Sequence, residues 1–241
     1  MERDTFLQDF GDVLARSGLE QYADRGETFF ALAAHLIRFN GVHNVTAITE
    51  PHQIIFRHFA DCLTAASYLP EGARVIDVGC GGGFPCLPLA IARPDLQITA
   101  LDSTAKKLKF VESAAAELGL NGVTVLCARA EEAVRRPDMR ERFDVATARA
   151  VARLRILSEL CLPFVRVGGT FLSLKGEAGA EEAREAERGI GILGGDLEWV
   201  REIPITDGGE ILHHVLIRVK KVAHTPEIYP RNYAGIVKKP L

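Results

Sequence analysis

The sequence predicts an α/β fold: a mostly parallel sheet of about seven strands, preceded by a helical segment. Three observations carry that expectation. From Ala73 onward, short apolar runs alternate with stretches of helical periodicity, the pattern of parallel strands joined by crossover helices. One run, Arg74-Val75-Ile76-Asp77-Val78, leads into Gly79-Cys80-Gly81-Gly82-Gly83-Phe84-Pro85 and then an apolar helix-like stretch, Leu87 to Ala92, so a buried strand turns sharply into a helix. Ahead of it, residues 5–70 place apolar side chains at helical spacing and show no strand pattern.

Taken in order, the helical segment uses Phe6, Leu7, Phe10, Val13 and Leu14, then Phe29, Leu32, Ala33, Leu36 and Ile37, then Ile54, Ile55, Phe59, Leu63 and Ala66, with breaks near Gly18 and Gly41. The Asn side chains of the loop 40–48 are expected to bond turn backbone. His58 and Asp61, one helical turn apart, read as a solvated i,i+3 pair. Strands follow at 74–78, 96–102, 123–127, 143–148 and 170–174, with two later ones near 197–204 and 211–219. Between them lie helices over 103–118, 154–166 and 177–193, and Gly168-Gly169 reads as a turn. The last stretch, 220–241, combines Lys221, Arg231, Lys238 and Lys239 with three prolines and is expected to hold no regular element. These features divide the chain into a helical segment 1–70, a sheet domain 71–221 and a basic tail 222–241.

The glycine loop decides what the sheet carries. A dinucleotide fingerprint G-x-G-x-x-G fails, because its third glycine falls on Phe84 or Cys86. The string instead fits D-x-G-x-G-x-G through Asp77, Gly79, Gly81 and Gly83. That spacing resembles the first motif of S-adenosylmethionine (AdoMet) methyltransferases with a Rossmann-like sheet. About twenty residues on, Asp102 ends the next strand, where a carboxylate can accept from ribose hydroxyls or cap the following helix. Lys106 and Lys107 stand near that helix start, where the helix dipole disfavours cations, which points to binding.

Composition bounds the rest. The chain has 241 residues, 25% of them charged, and a net charge of −3; mean hydropathy is +0.07. Those values describe a globular protein whose contact with nucleic acid must come from a local basic patch. The five cysteines, at 62, 80, 86, 127 and 161, form no C-x-x-C pair or zinc spacing and lie mostly in apolar runs. Reduced, buried thiols in a cytoplasmic protein are expected, with no metal and no membrane span.

The fourth strand ends in Thr147-Ala148-Arg149-Ala150. Enzymes that methylate exocyclic amines carry Asn/Asp-Pro-Pro-aromatic there, and cytosine C5 enzymes need a Pro-Cys nucleophile. Pro85-Cys86 lies in the glycine loop instead and reads as packing. Arginine cannot act as a base near neutral pH, but it can orient an acceptor or bind an anion. The acceptor should then already be nucleophilic, as guanine N-7 is.

Asp77 to Ala90, Leu101-Asp102-Ser103, Ala128 to Glu132, Ala148-Arg149-Ala150, Leu174-Lys175-Gly176 and the tail Thr225-Pro226…Tyr229-Pro230-Arg231…Lys238-Lys239-Pro240-Leu241 resemble the RsmG (GidB) family. So do Asn44-Val45-Thr46-Ala47-Ile48 and Arg57-His58…Asp61, so the likeness runs from about Asn40 to the last residue. The resemblance implies a bacterial enzyme that transfers methyl from AdoMet to N-7 of a guanosine in the decoding-centre (530) loop of 16S rRNA, by direct in-line transfer. It also implies cofactor contacts at Gly79, Phe84, Ala130, Glu131 and Arg149, beside Gly81, Gly83 and Asp102 from the motif. Departures are Cys86 in place of glycine and Cys62 in place of serine. RNA phosphates would meet Lys106, Lys107, Arg231, Lys238 and Lys239, and Tyr229 or Tyr233 could stack on a base or pack on the domain. The partner is 16S rRNA, free, in the 30S subunit or in an assembly intermediate. Two other readings stay open: a small-molecule methyltransferase and a non-catalytic RNA-binding factor.

Overall fold

The sheet is built from the buried, β-branched runs. A computed structural model describes residues 1–43 and 45–241; Asn44, one of the residues carrying the family resemblance, lies outside the described residues. Seven strands form one sheet: β1 (Arg74–Val78), β2 (Gln97–Asp102), β3 (Val123–Cys127), β4 (Phe143–Arg149), β5 (Val165–Lys175), β6 (Gly195–Thr206) and β7 (Ile211–Lys221). Their order is β3-β2-β1-β4-β5-β7-β6. The pairs among β1 to β5 are parallel, and β7 runs antiparallel to both β5 and β6. The strand order reverses between β1 and β4, which opens a crevice at their carboxyl ends.

Helices cover both faces. On one face lie α1 (Arg3–Arg16), α2 (Gly26–His43), α3 (Pro51–Ile54), a π-helical stretch Ile55–Ala60, α4 (Asp61–Leu63), α5 (Cys86–Ala92) and α6 (Ala105–Glu117). Their apolar sides share one core with Val75, Ile98 and Ala100 of the sheet, so the N-terminal helices are a layer over it. A row of rings crosses this layer: Phe10 and Phe29 are 4.9 Å apart between centroids, Phe29 and Phe59 4.9 Å, and Phe59 and Phe84 6.4 Å. On the other face lie α7 (Ala130–Ala133), α8 (Leu154–Cys161), α9 (Gly179–Ile192) and α10 (Tyr233–Lys238). Among the described residues no helix is long and apolar enough to cross a membrane.

Three local expectations fail, each for a readable reason. The helix expected over 154–166 stops at Cys161, and Leu162–Phe164, containing Pro163, tightens into a 3-10 turn. Gly168-Gly169 do not end an element; they bulge within β5, where Phe143 pairs with Val165 but Val145 pairs with Thr170. The tail does hold a regular element, α10, because Asn232 caps it by accepting from the Gly235 amide at 2.8 Å and no proline falls inside it.

One of the tail's cations docks it on the body. Arg231 donates from its guanidinium and its main-chain nitrogen to Glu159 of α8, whose side chain is 0% exposed. This corrects the assignment of Arg231 as a free phosphate ligand: burial of the carboxylate demands a partner, and Arg231 supplies it. Lys221 is likewise buried, donating to Leu162 O at 2.8 Å and Thr225 Oγ1 at 2.6 Å beside Glu141, and burial holds its pKa down at about 8. Lys238 and Lys239 remain exposed. Replacing Arg231 with Ala should therefore lower the unfolding free energy by roughly 3 kcal/mol, because a buried carboxylate loses its counter-ion. Denaturant titration checks this, and a change below about 0.5 kcal/mol would mark Arg231 as an ordinary surface cation.

Candidate active site

A hollow of about 400 Å³ opens at the carboxyl ends of β1 to β4. Its floor is the glycine loop. Gly79 and Gly81 have φ of +73° and +54°, a region that disfavours side chains. A Cβ on Gly79 would come within 2.7 Å of Val151, whereas one on Gly81 would meet protein only at 3.9 Å and so stand in the hollow itself. Gly81 is thus where a ligand gains closest approach to backbone. Gly83 does not line the hollow; its missing side chain makes room for Leu87, 2.4 Å from where a Cβ would sit. The loop is tied from beneath by Asp77, which accepts from Thr147 Oγ1 at 3.0 Å and the Cys86 amide at 3.2 Å. Burial pushes the Asp77 carboxyl up to about 7. Cys86 is fully buried and its thiol pKa is driven well up by burial, so it packs under the loop as a neutral group.

The walls come from the next two strands. Asp102 accepts from the Gly81 amide at 3.0 Å and from the Thr104 amide at 2.7 Å, so it shapes the loop and caps the approach to α6 while facing the hollow. After β3, Ala130 and Glu131 line the far end. Glu131 is 8% exposed, yet its carboxylate makes no hydrogen bond or ion pair among the described residues. Its oxygens open onto the hollow, where a ligand's donors can reach them. Lys107 stands on the rim; Lys106, Arg231, Lys238 and Lys239 do not line the hollow.

Arg149, the last residue of β4, borders both this hollow and a second one of about 550 Å³. Its guanidinium donates to the Arg57 carbonyl at 3.1 Å, to His58 Nδ1 at 2.7 Å and to Asp61. Its acid partner is therefore Asp61, and neither Glu131 nor Asp102. The expected solvated His58–Asp61 pair is corrected: the two residues are 7% and 8% exposed and both turn to Arg149. Asp61 also pairs with His214 Nδ1 on β7, and His214 Nε2 lies 3.1 Å from Thr64 Oγ1. Burial alone would raise the Asp61 pKa, but His214 and Arg149 together hold it below the usual value. Burial, reinforced by the Arg149 charge, lowers His58 to about 4. A neutral ring then accepts from Arg149 at Nδ1 and donates from Nε2 to Thr46 Oγ1, 3.0 Å away. The same ring stacks on Phe84 at 4.3 Å, and the Arg149 guanidinium lies 5.4 Å from the Phe84 centroid.

The sequence-predicted residues Gly79, Gly81, Phe84, Asp102, Ala130, Glu131 and Arg149 therefore surround one hollow. Sequence reasoning missed His214, which lies 153 residues from Asp61 and had no motif to flag it. Among the described residues no group of three or more His, Cys, Asp or Glu side chains could hold a metal ion.

A family model described as rRNA small subunit methyltransferase G matches residues 25–204. Curated proteins named ribosomal RNA small subunit methyltransferase G are similar along nearly their whole length. One from Clostridium perfringens (strain 13 / Type A) is 42% identical over 93% of this chain and 94% of its own. One from Lactobacillus delbrueckii subsp. bulgaricus is 39% identical over 96% of this chain and 98% of its own. Among solved structures, a precorrin-6y C5,15-methyltransferase from Geobacter metallireducens GS-15 aligns with a TM-score of 0.52 at 16% identity, covering 67% of this chain and 86% of that one. A geranyl diphosphate methyltransferase in complex with SAM aligns with a TM-score of 0.52 at 15% identity, covering 68% and 85%. These two share the fold.

The His58 geometry has a pH signature. An imidazole whose folded pKa is depressed binds fewer protons than in the unfolded chain, so the stability carried by neutral His58 is full above pH 6.5 and is lost as pH falls toward about 4. Unfolding free energies measured across that window should show the advantage of wild type over His58→Asn shrinking as the pH drops. A constant difference would mean that His58 titrates as in the unfolded chain.

Proposed function

The chain belongs to the rRNA small subunit methyltransferase G (GidB) family, and on that premise we propose that it transfers methyl from AdoMet to N-7 of a guanosine in the 530 loop of 16S rRNA. Methyl transfer to small-subunit rRNA is the family's activity. The observation that carries the finer reading is the residue at the end of β4: a guanidinium, which cannot itself act as a base, stands where the two hollows meet.

AdoMet, when bound, supplies an electrophilic methyl group on a sulfonium centre. The fit rests on three features of the first hollow. Gly81 leaves space for a ligand, Asp102 faces the position of ribose hydroxyls, and Glu131 is an unpartnered acceptor at the end beyond β3. Ala130 and Glu131 would hold the adenine end of such a ligand, and Phe84 and Arg149 would stand at its methyl-bearing end. The second hollow, which shares His58, Arg149, Ala150 and Val151 with the first, then receives the acceptor base.

Arg149 orients that base. Its bonds to Arg57, His58 and Asp61 fix the guanidinium plane and leave two of its five N–H groups without partners among the described residues. Those donors suit guanine O6, which lies beside N-7 on the same edge of the base. N-7 has a free lone pair and no proton to lose, so no general base is required. Holding the nucleophile close to the methyl carbon can contribute roughly 7–11 kcal/mol. Lys106, Lys107, Lys238 and Lys239 would meet phosphates at the rim and on the tail.

Labelled-methyl transfer to 30S particles, to free 16S rRNA and to free nucleotides, followed by mapping of the modified base, tests the assignment. Transfer to nucleotides without RNA would favour a small-molecule methyltransferase. Asp102→Ala should weaken AdoMet binding roughly ten- to hundred-fold, as expected for a lost charged acceptor that also steadies the loop; unchanged calorimetric affinity would make Asp102 a cap alone. Arg149→Lys keeps a charge against Asp61 but loses the planar fork. Its single-turnover rate should fall roughly ten- to hundred-fold while AdoMet affinity changes little. A wild-type rate in this variant would remove Arg149 from the reaction.

A further inference from the structure

The tail returns across the second helical layer and is pinned along its length. Arg140 donates to Tyr229 O at 2.9 Å and Thr225 O at 2.8 Å, Arg135 to Pro230 O at 3.0 Å, and Arg155 to Leu241 O at 2.8 Å. Between these anchors stands α10. Ile236 on that helix is fully buried, and Tyr233, three residues earlier, falls on the same side. That rotation brings the Tyr233 ring to the rim of the first hollow, beside Ala128, Ala130 and Glu131, with the Arg129 guanidinium 5.9 Å from its centroid. The ring is nevertheless 41% exposed, so the protein alone does not cover it.

We propose that Tyr233 is a cofactor-binding residue, its ring forming the outer wall of the adenine end of the hollow. This rests on the reading of the hollow as the AdoMet site. The strand order supports the placement: the ring sits past the end of β3, while the acceptor base belongs at Arg149 on β4, on the opposite side of β1. An aromatic face beside a purine gains from stacking, and the Arg129 cation over the same ring helps hold it in place.

Calorimetry on wild type, Tyr233→Ala and Tyr233→Phe tests this, with AdoMet and with 5′-methylthioadenosine, which keeps the adenine end and lacks the amino-acid end. Tyr233→Ala should weaken both ligands by a similar factor, roughly ten-fold, and Tyr233→Phe should restore most of the affinity. Affinity for RNA without cofactor should stay the same in both variants. Unchanged AdoMet affinity in Tyr233→Ala overturns the inference while leaving the proposed function standing. A loss confined to RNA affinity also overturns it and makes the ring a base-stacking residue. Failure of wild type to bind AdoMet overturns the proposed function together with the inference.

Discussion

Asp61 is the point on which the site depends. Its carboxylate is buried where the helical layer, the end of β4 and the antiparallel strand β7 converge, and it is shared by Arg149 and His214. A buried carboxylate is tolerable only with partners, and here the partners come from parts of the chain far apart in sequence. Arg149 in turn takes its orientation from Asp61, His58 and the Arg57 carbonyl, all supplied by the irregular helical stretch around Ile55–Ala60. A helix with π-helical geometry at this place presents His58 and Asp61 together toward one guanidinium, and π-helical segments often mark functional sites.

The N-terminal helices therefore do more than cover the sheet. The row of rings from Phe10 through Phe29 and Phe59 reaches Phe84 in the glycine loop, and His58 stacks on that same ring. Phe84 lines the first hollow and faces Arg149, which borders both hollows, so the packing of α1 and α2 bears on both. Close-packed interiors transmit displacement, which makes this layer part of the site's geometry.

Most of the sheet was legible because buried parallel strands are apolar on both faces and end in glycine or acid. β1, α5 and the loop between them follow directly from Arg74 to Ala92, β2 from the run that ends at Asp102, and the hollow lies where the strand order reverses. The chemistry around Arg149 was less legible. His58 and Asp61 look like any surface pair when read along one helix, because only tertiary burial distinguishes them, and His214 joins them through a β7 register that no local pattern encodes. Gly83 shows the converse limit: a motif glycine can serve helix packing, here against Leu87, and not the ligand.

Charge in the tail was the most misleading signal. Counting cations suggests a basic surface, yet Lys221 and Arg231 satisfy internal acceptors, and Arg135, Arg140 and Arg155 on the body hold tail carbonyls. The cause is the tail's own composition. Proline-rich backbone offers carbonyls that no helix or strand satisfies, and buried acceptors must find donors from elsewhere. Arginine, with several donors in a rigid fork, meets that need better than lysine. The two cations left exposed there, Lys238 and Lys239, stand at the end of the helix that places Tyr233 at the first hollow. Docking the tail thus sets the positions of its remaining charges relative to that hollow, which a flexible basic extension could not do.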